Sequence, residues 1–330
     1  ITSKYEPDVL AVAEDVVEKV GYQAGEILFD ALIHQQSPDI AQGVQNSMES
    51  RKQHVAGEEW KMGAGDQGVM TGYACSETKQ FLPLPVVLAH RIVRELSACR
   101  ISEYIRGLLP DGKAQITVEY EDGKPVRLDT VIVSCQHAEE KSQKDLEREI
   151  RQKVLRLALR LLPPDEDTRI LINPSGKFVV GGLDADTGLT GRKLMVDCYG
   201  SIAPHGGGAF SGKDATKVDR SGAYMARYIA KNMVAAGLAE KCLVSLAYAI
   251  GVAEPVMVQV DTFGTGTVCA DDCLAAAIPL VFGLTPKQII DHFKLQRPIY
   301  SQTAVFGHFG RKEFPWERTD KVEALRSALL

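Results

Sequence analysis

The stretch Gln115-Ile116-Thr117-Val118-Glu119-Tyr120 is followed by Asp122-Gly123 and by a return run from Val126 to Ser134. Apolar and polar residues alternate in the first run, as they do in a β-strand with one buried face. Asp-Gly is a frequent pair in two-residue hairpin turns. The stretch therefore predicts a β-hairpin, and the apolar stripe that follows near Lys144 to Leu162 predicts a helix packed beside it.

The rest of the chain alternates in the same way between helices and paired strands. Helices are predicted at Pro7 to Val20, ended by Gly21, at Pro85 to Tyr104, at Ser221 to Ala236, ended by Gly237, and near Asp271 to Phe282. Strand pairs are predicted at Ile170 to Ile172 with Lys177 to Val180, turning at Asn173-Pro174-Ser175-Gly176, and at Leu243 to Ile250 with Val256 to Phe263. The order predicts an α+β fold with antiparallel or mixed sheets.

Two segments lack this alternation. The polar run from Gln42 to Lys61 has no apolar periodicity, and a run of that length favours a lid or a disordered connector. The segment from Leu295 to Trp316 is rich in aromatic and turn residues, and we interpret it as a structural wrap at the C-terminal end.

Length and composition restrict the class of protein. The chain has 330 residues, 45% of them hydrophobic and 25% charged, which is typical of a soluble protein of two or three domains. Its formal net charge of −5 argues against general binding to nucleic acid or to anionic membranes, and no apolar run approaches the ~20 residues of a membrane span. Seven cysteines without a CxxC pair, and no signal peptide at the start, indicate reduced cytosolic thiols.

The glycine run His205-Gly206-Gly207-Gly208-Ala209-Phe210-Ser211-Gly212-Lys213-Asp214 carries the clearest functional signal. Glycines let a backbone offer its N–H groups to an anion at close range, and lysines add positive charge. Gly207 to Lys213 even has the Walker spacing, but Asp214 stands where Ser or Thr should reach Mg²⁺, so the run is not a Walker loop. It predicts a polyphosphate cradle, with a flexible surface loop as the alternative.

Charged residues are concentrated around this run, from Asp184 to Arg220. Carboxylates beside lysines suit a triphosphate held by Mg²⁺ and by side-chain cations, since Mg²⁺ prefers one or two carboxylates with phosphate oxygens. A solvated charged surface is the alternative interpretation. Asp111-Gly112-Lys113 fits a turn or a contact to ribose or base, and Phe178 fits a core position or an adenine stack. The histidines show no metal spacing such as HExxH.

Gly63-Ala64-Gly65-Asp66-Gln67-Gly68 and Gly206 to Asp214 together closely resemble the two signature segments of S-adenosylmethionine synthetases, also called methionine adenosyltransferases. The resemblance continues through four further motifs and spans nearly all of the chain: Gln36-Ser37-Pro38-Asp39-Ile40, Pro110-Asp111-Gly112-Lys113, Gly188-Leu189-Thr190-Gly191-Arg192-Lys193 and Gly307-His308-Phe309-Gly310-Arg311.

The resemblance implies a reaction in which the sulfur of methionine attacks C5′ of ATP and expels triphosphate, which the same site hydrolyses to pyrophosphate and phosphate. Triphosphate leaves readily only when its charge is neutralised, so electrostatic preorganisation should carry the catalysis. The resemblance also implies Mg²⁺, two ions per site, and K⁺. It further implies a homodimer or a dimer of dimers with active sites shared between subunits, in the cytoplasm.

Residue roles follow from the same resemblance. Lys213, Arg192 and Lys217 are implied to be catalytic. ATP contacts are implied for Asp111, Gly112, Lys113, Lys177, Phe178, Asp186, Arg192, Lys193, Ala209 and Lys213. Lysine at 177 replaces an arginine that is common in the family. Methionine contacts are implied for Gln36, Asp66, Asp186 and Lys217, an Mg²⁺ ligand for Asp219 and a K⁺ position for Ser211. The run from Gln36 to about Val44 matches the family's gating loop, which excludes water.

The resemblance also implies three similar subdomains of mixed or antiparallel sheet and helices. The expected ranges are 1–45 for the remainder of a truncated N-terminal domain with the gating loop, 63–180 for a central domain and 182–325 for a C-terminal domain. Family members carry a leading His-Pro-Asp-Lys segment, and the present sequence begins past its position. We expect crippled catalysis if the sequence is complete. We expect an ordinary synthetase if it is a fragment, which the intact remaining ligands favour.

Two other functions stay open at this point. A nucleotide-binding paralogue without catalysis would bind ATP and form no product. A triphosphate hydrolase would keep only the later half of the reaction, but Gln36 and Asp66, both assigned to methionine, argue against it.

Overall fold

The structure is a computed structural model that describes residues 8–35, 37–53 and 61–329. Its α-helices are α1 (Val9–Val20), α2 (Pro38–Gln45), α3 (Met48–Gln53), α4 (Leu84–Ile101), α5 (Gln143–Glu149), α6 (Arg156–Ala158), α7 (Leu194–Asp197), α8 (Val218–Ala235), α9 (Asp271–Val281), α10 (Pro286–Phe293) and α11 (Val322–Ala328). Its strands are β1 (Gly68–Cys75), β2 (Leu108–Glu121), β3 (Lys124–His137), β4 (Arg169–Ile172), β5 (Lys241–Tyr248) and β6 (Met257–Asp261). A π-helical turn, Ile150–Leu155, joins α5 to α6. Four short 3₁₀ helices lie at Ala24–Glu26, Gly182–Asp184, Ser301–Ala304 and Pro315–Glu317.

Two compact units make up the chain. Residues 8–34 and 84–188 form the first, which we call the hairpin unit. The described residues of 35–83 and 189–329 form the second, which we call the glycine-loop unit. Each has one three-stranded sheet, ordered β2-β3-β4 and β1-β5-β6 respectively. Helices and small antiparallel or mixed sheets together confirm the predicted α+β class.

The predicted hairpin is present in the hairpin unit. Strands β2 and β3 pair antiparallel, with Gln115 opposite Ile132, and the turn at Asp122 and Gly123 has φ values of +48° and +74°. Both turn residues thus have the left-handed backbone that two-residue hairpins need. The helix predicted near Lys144 to Leu162 is also confirmed, although its middle winds as the π turn.

Apolar side chains of α4, of the α5 to α6 segment and of the sheet form the core of this unit. Leu88, Ile92, Val131, Leu146 and Val154 are all inaccessible to solvent within it. These positions follow the 3.6-residue period in the helices and the two-residue period in β3.

One predicted strand pair is wrong. Strand β4 exists, but it pairs in parallel with β3, and residues 177–180 form no strand. The reason lies in Asn173, whose φ is +43°. Its side-chain oxygen accepts from the backbone N–H of Cys135 at 2.8 Å and its amide nitrogen donates to the Cys135 carbonyl at 3.0 Å. These bonds hold Asn173 against β3, directly after the parallel ladder of β3 and β4.

In the glycine-loop unit, α8 packs against a sheet in which β1 pairs with β5, and β5 with β6. A Cβ atom on Gly72 of β1 would lie 2.0 Å from the backbone of Ala226, so helix and strand approach closely. Seventeen successive residues of α8, Val218 to Val234, are buried. The helix is therefore the centre of the unit, and the predictions of α8, β5, β6 and α9 are confirmed.

Buried charges fasten the C-terminal segment to α8. Glu317 accepts from Arg227 at 3.0 Å and from Lys231 at 2.7 Å, and the side chains of Arg227 and Glu317 are fully buried. The ring of Trp316 stacks on Tyr224 with centroids 3.7 Å apart. The predicted structural wrap at residues 295–316 is thus confirmed.

The predicted lid or connector at Gln42 to Lys61 is wrong over the residues described, because these form the end of α2 and all of α3. Ser47 and Ser50 are buried, and the Glu49 carboxylate accepts from the backbone N–H of Ala253 at 3.0 Å. Residues 38–44 of the predicted gating loop likewise lie in α2. Hydrogen bonds from polar side chains replace the apolar stripe that the sequence lacks.

No single helix among the described residues is long and apolar enough to cross a membrane. Helices α9 and α10 pass that test only as a pair, and a 70° bend separates them.

Candidate functional site

The predicted polyphosphate loop lies against β1 and the first turn of α8. A Cβ atom on Gly206 would lie 1.5 Å from the Val69 carbonyl oxygen, and one on Gly208 would lie 2.1 Å from Asp219 Oδ1. Gly207 has a φ of +93°, and its N–H donates to His205 Nδ1 at 2.8 Å. Only glycine permits this close approach and this backbone. The loop is packed against β1 and α8 at Gly206 and Gly208, which argues against a flexible surface loop.

Lys213 and Asp219 face each other across this loop. Lys213 Nζ lies 2.9 Å from Asp219 Oδ2, and the Asp219 side chain is only 9% exposed. Asp219 is in the first turn of α8, where the helix dipole favours negative charge. A lysine that is about one third exposed and a helix N-terminus together create a position suited to a multiply charged anion.

The two signature segments meet at the start of α8. The Gly65 N–H donates to the Thr216 carbonyl at 3.2 Å, and Lys217 Nζ donates to the Gly65 carbonyl at 3.4 Å. Asp66 follows Gly65 directly, half-buried, and its Oδ1 accepts from the Gln67 N–H. The structure therefore places the segment of Asp66 against Lys217, and both residues are among those that the resemblance assigns to methionine.

The Arg192 segment also approaches the loop. Gly191 has a φ of +90°, and a Cβ atom placed on it would lie 2.7 Å from the Cβ of Ala209. The side chains of Arg192 and Lys193 are exposed. Two cationic side chains thus extend from a turn that packs on the glycine loop.

A buried hydrogen-bond network supports the loop from behind. Arg220 donates through Nη1 to the Lys213 carbonyl at 2.9 Å and through Nε to the Tyr224 hydroxyl at 3.0 Å. The Tyr224 hydroxyl lies 2.7 Å from His308 Nδ1, and His308 Nε2 lies 3.3 Å from Ser211 Oγ. The network therefore links the core to two residues of the loop, Ser211 and Lys213.

Within this network, burial and neighbouring charges keep the His308 imidazole unprotonated. Burial, together with the positive charges of Arg220 and Arg311, lowers the pKa of His308 to about 3. Burial raises the pKa of Asp197 to about 6, partly offset by Arg220, and its Oδ1 lies 3.8 Å from His308 Nε2. His308 is consequently a neutral imidazole at physiological pH, with one donor and one acceptor nitrogen.

The sequence missed Arg220, Tyr224 and His308 as a functional group. From the sequence, Arg220 belongs only to the group of charges near the loop, and His308 only to the motif Gly307 to Arg311. The available signal was weak: Arg220 directly precedes the helix predicted from Ser221, and its spacing of four residues from Tyr224 would place both on one face only if that helix began earlier.

The residues predicted to hold adenosine lie in the hairpin unit. Asp111 Oδ2 accepts from the Gly182 N–H at 3.0 Å, and the Asp111 N–H donates to Gln136 Oε1 at 3.3 Å. Gly182 has a φ of +61° and its Cα faces the Tyr22 hydroxyl, where a Cβ would lie 1.8 Å away. Asp111 thereby fixes the backbone at Gly182, while Gly112 and Lys113 are exposed.

Phe178 lies beside the end of β3, the strand that pairs with β2, in which Asp111 lies. Its N–H donates to His137 Nε2 at 3.2 Å, and its carbonyl accepts from the His137 N–H at 2.9 Å. The ring is only half-buried, so the default core position is wrong for Phe178. Lys177 is exposed beside Glu139, and Asp186 is exposed with its Oδ1 accepting from the Thr187 N–H.

The remaining predictions concern the predicted methionine-binding residue Gln36 and the ligands of a metal ion. Gln36, assigned to methionine, lies outside the described residues. Across residues 8–35, 37–53 and 61–329, no group of three or more His, Cys, Asp or Glu side chains is arranged to hold a metal ion. All seven cysteines are free thiols, five of them buried.

Fold and site together define a class: an α+β protein with a packed, cationic loop for a nucleotide polyphosphate. Residues 61–178 match the model of the central domain of S-adenosylmethionine synthetase, and residues 180–318 match that of its C-terminal domain. The chain is also 51% identical to an S-adenosylmethionine synthase of Streptococcus suis (strain 05ZYH33), over 98% of this chain and 84% of that protein. The chain belongs to the S-adenosylmethionine synthetase family, as its motifs predict.

Proposed function

We propose that the protein forms S-adenosylmethionine from ATP and L-methionine and hydrolyses the triphosphate released to pyrophosphate and phosphate. The observation that carries the proposal is the loop of Gly206 to Lys213, packed on α8 with Lys213 and Asp219 at its mouth. The family membership and the name of the Streptococcus relative support the same reaction.

The glycine-loop unit supplies the charge that a departing triphosphate requires. Lys213, Arg192 and Lys217 act as its cations, with Lys193 and Ala209 beside the nucleotide. Close glycine contacts and a hydrogen bond from Arg220 to the Lys213 carbonyl hold the backbone of the loop in place. Preorganised cations stabilise charge as it develops on the leaving oxygen, so no protein nucleophile is needed.

The hairpin unit contributes adenosine contacts in this proposal. Asp111, Gly112 and Lys113 offer polar groups at one end of β2, while Lys177 and the half-buried ring of Phe178 offer a charge and a stacking face. Asp186 contacts ribose or methionine. Gln36, Asp66 and Lys217 supply the remaining contacts to methionine.

Magnesium fits the residues described when phosphate oxygens complete its coordination. Asp219 offers one carboxylate at the loop, and Mg²⁺ is commonly held by one or two carboxylates with substrate phosphates and waters. Binding of Asp219 to Mg²⁺ requires Lys213 to leave its ion pair and contact phosphate. Mg²⁺, two ions per site, would neutralise triphosphate charge, and we place K⁺ at Ser211.

The wider organisation is part of the same proposal. Ranges 1–45, 63–180 and 182–325 are three similar subdomains, and the family-model matches at 61–178 and 180–318 support the second boundary. The protein is a cytoplasmic homodimer or dimer of dimers with active sites shared between subunits. Seven free thiols are in keeping with a reducing compartment.

The test follows S-adenosylmethionine, pyrophosphate and phosphate from one reaction with ATP, methionine, Mg²⁺ and K⁺. The proposal expects the three products in equal amounts, and no phosphate from ATP without methionine. ATP binding without product would instead establish a nucleotide-binding paralogue. Phosphate released from added triphosphate, with no S-adenosylmethionine, would establish a hydrolase.

A further inference from the structure

A chain of four polar side chains runs from the core of the glycine-loop unit to the polyphosphate loop. It begins at Arg220, passes through Tyr224 and His308 and ends at Ser211. Tyr224 and His308 are wholly inaccessible to solvent, and Arg220 is 4% exposed. Because these groups are buried, each hydrogen must be placed where an acceptor exists.

Arg220 sets the direction of donation along this chain. A guanidinium has only donors, so the Tyr224 oxygen accepts from Arg220 Nε at 3.0 Å. The single hydroxyl hydrogen of Tyr224 is then donated to His308 Nδ1, at 2.7 Å. Nδ1 is thereby an acceptor, so the hydrogen of the imidazole lies on Nε2, from which it is donated to Ser211 Oγ at 3.3 Å.

The opposite direction leaves a buried hydrogen without an acceptor. If His308 Nδ1 donated to Tyr224, the tyrosine oxygen would accept two hydrogens, and its own would have no acceptor among the described residues. An unsatisfied buried donor is unfavourable, because it has lost its hydrogen bonds to water without replacing them. The arrangement that satisfies every group is the one that starts at Arg220.

Ser211 consequently receives a hydrogen bond from the core and keeps its own hydroxyl hydrogen for another acceptor. Its side chain is half-buried and lies two residues before Lys213, whose side chain is 31% exposed at the loop. The acceptor that the loop is built to hold is an anion.

We propose that Arg220, Tyr224 and His308 orient the Ser211 hydroxyl so that it donates a hydrogen bond to an oxygen of the bound polyphosphate. Ser211 is the binding residue, and the other three are positioning residues. This inference rests on the proposed function, because it needs polyphosphate in the loop. The carbonyl oxygen of Ser211 stays available for the K⁺ that we place there.

The experiment measures binding of inorganic triphosphate with Mg²⁺ to the full chain by calorimetry, in K⁺ and in tetramethylammonium buffers. The variants are Ser211→Ala, Ser211→Thr, Tyr224→Phe and the double variant of Ser211→Ala with Tyr224→Phe. Ser201→Ala, at an exposed serine of the same unit, is the matched control. Lys213→Ala tests the loop itself, and thermal unfolding of each variant accompanies the binding.

Ser211→Ala should weaken triphosphate binding about 10-fold in both buffers, since a hydrogen bond to a charged group is lost. Ser211→Thr should restore most of the affinity. Tyr224→Phe should weaken binding to a similar degree, and the double variant should bind no worse than Ser211→Ala, because both changes remove one interaction. Ser201→Ala should bind like the unchanged protein.

Affinity of Ser211→Ala within about 2-fold of the unchanged protein would overturn the inference. So would a loss confined to K⁺ buffer, which would make the hydroxyl a K⁺ ligand, or additive effects of the two single changes. In each case a strong loss in Lys213→Ala keeps the proposed function intact. Unchanged binding in Lys213→Ala would instead refute the polyphosphate loop and this inference together. If Tyr224→Phe unfolds, the comparison of Ser211→Ala with Ser211→Thr still decides whether the hydroxyl binds triphosphate.

Discussion

Replacement of Gly206 by alanine should displace the polyphosphate loop without changing any charge. The new Cβ would lie 1.5 Å from the Val69 carbonyl oxygen, where a carbon-to-oxygen contact normally needs about 3.3 Å. The φ of Gly206 is outside the left-handed region, so alanine adds no backbone strain. The whole effect therefore comes from this one collision.

The loop must yield in this collision, because β1 cannot. Val69 is paired with Ala247 of β5, and Gly72 further along β1 touches the backbone of α8. The loop then retreats by about 1.5–2 Å, and a 1 Å misplacement of binding groups can cost about 100-fold. We expect triphosphate affinity to fall about 100-fold, or about 2.7 kcal/mol.

The assay is calorimetric binding of inorganic triphosphate with Mg²⁺, beside urea unfolding. Overpacking should lower the free energy of unfolding by about 1–3 kcal/mol. Gly25→Ala is the matched control, because nothing lies within 4 Å of its added Cβ and its φ is not left-handed. Gly206→Ala with unchanged affinity and unchanged stability would refute the packing of the loop on β1.

Three further predictions concern other parts of the glycine-loop unit. Glu317→Gln should lower the free energy of unfolding by about 3–5 kcal/mol in urea, because it leaves two buried cations without their carboxylate. Although burial opposes it, these cations lower the pKa of Glu317, so its contribution is present above pH ~4.3 and is lost as the pH falls further. Lys213→Ala should abolish triphosphate binding at neutral pH. Alkylation of the folded protein should label Cys273 first and Cys269 more slowly, since burial and the neighbouring Cys273 raise the pKa of Cys269 to about 11.

Each of these has a contrary result. Equal urea midpoints for Glu317→Gln and the unchanged protein would show that the buried charges do not hold the C-terminal segment. Full triphosphate affinity in Lys213→Ala would contradict the assignment of the polyphosphate loop. Peptide mapping that found any of the five buried cysteines labelled before Cys273 would contradict the packing described.

The sequence predicts those parts of the fold that local patterns determine. The hairpin follows from alternation and from Asp122-Gly123, and α8 follows from its own periodicity. The parallel pairing of β4 was not predictable, because it depends on hydrogen bonds from Asn173 to Cys135, 38 residues away. Helix α3 was missed for a similar reason: Glu49 bonds to Ala253, 204 residues away.

The candidate site divides in the same way. The glycine loop and its lysines were visible because charge and glycine spacing are local features. The buried hydrogen-bond network behind them was not visible in the sequence. Tyr224 links Arg220 to His308, and His308 is distant in sequence from both. Motif spacing thus identifies the groups that touch a ligand, and tertiary contacts decide how those groups are oriented.

The most direct test of the central claim is a crystal structure of the protein with Mg²⁺ and imidotriphosphate. Our account predicts the triphosphate analogue along Gly206 to Lys213, with Lys213 Nζ moved from Asp219 to a phosphate oxygen and Asp219 facing the metal. An analogue bound elsewhere, with the Lys213 to Asp219 ion pair still at 2.9 Å, would contradict it.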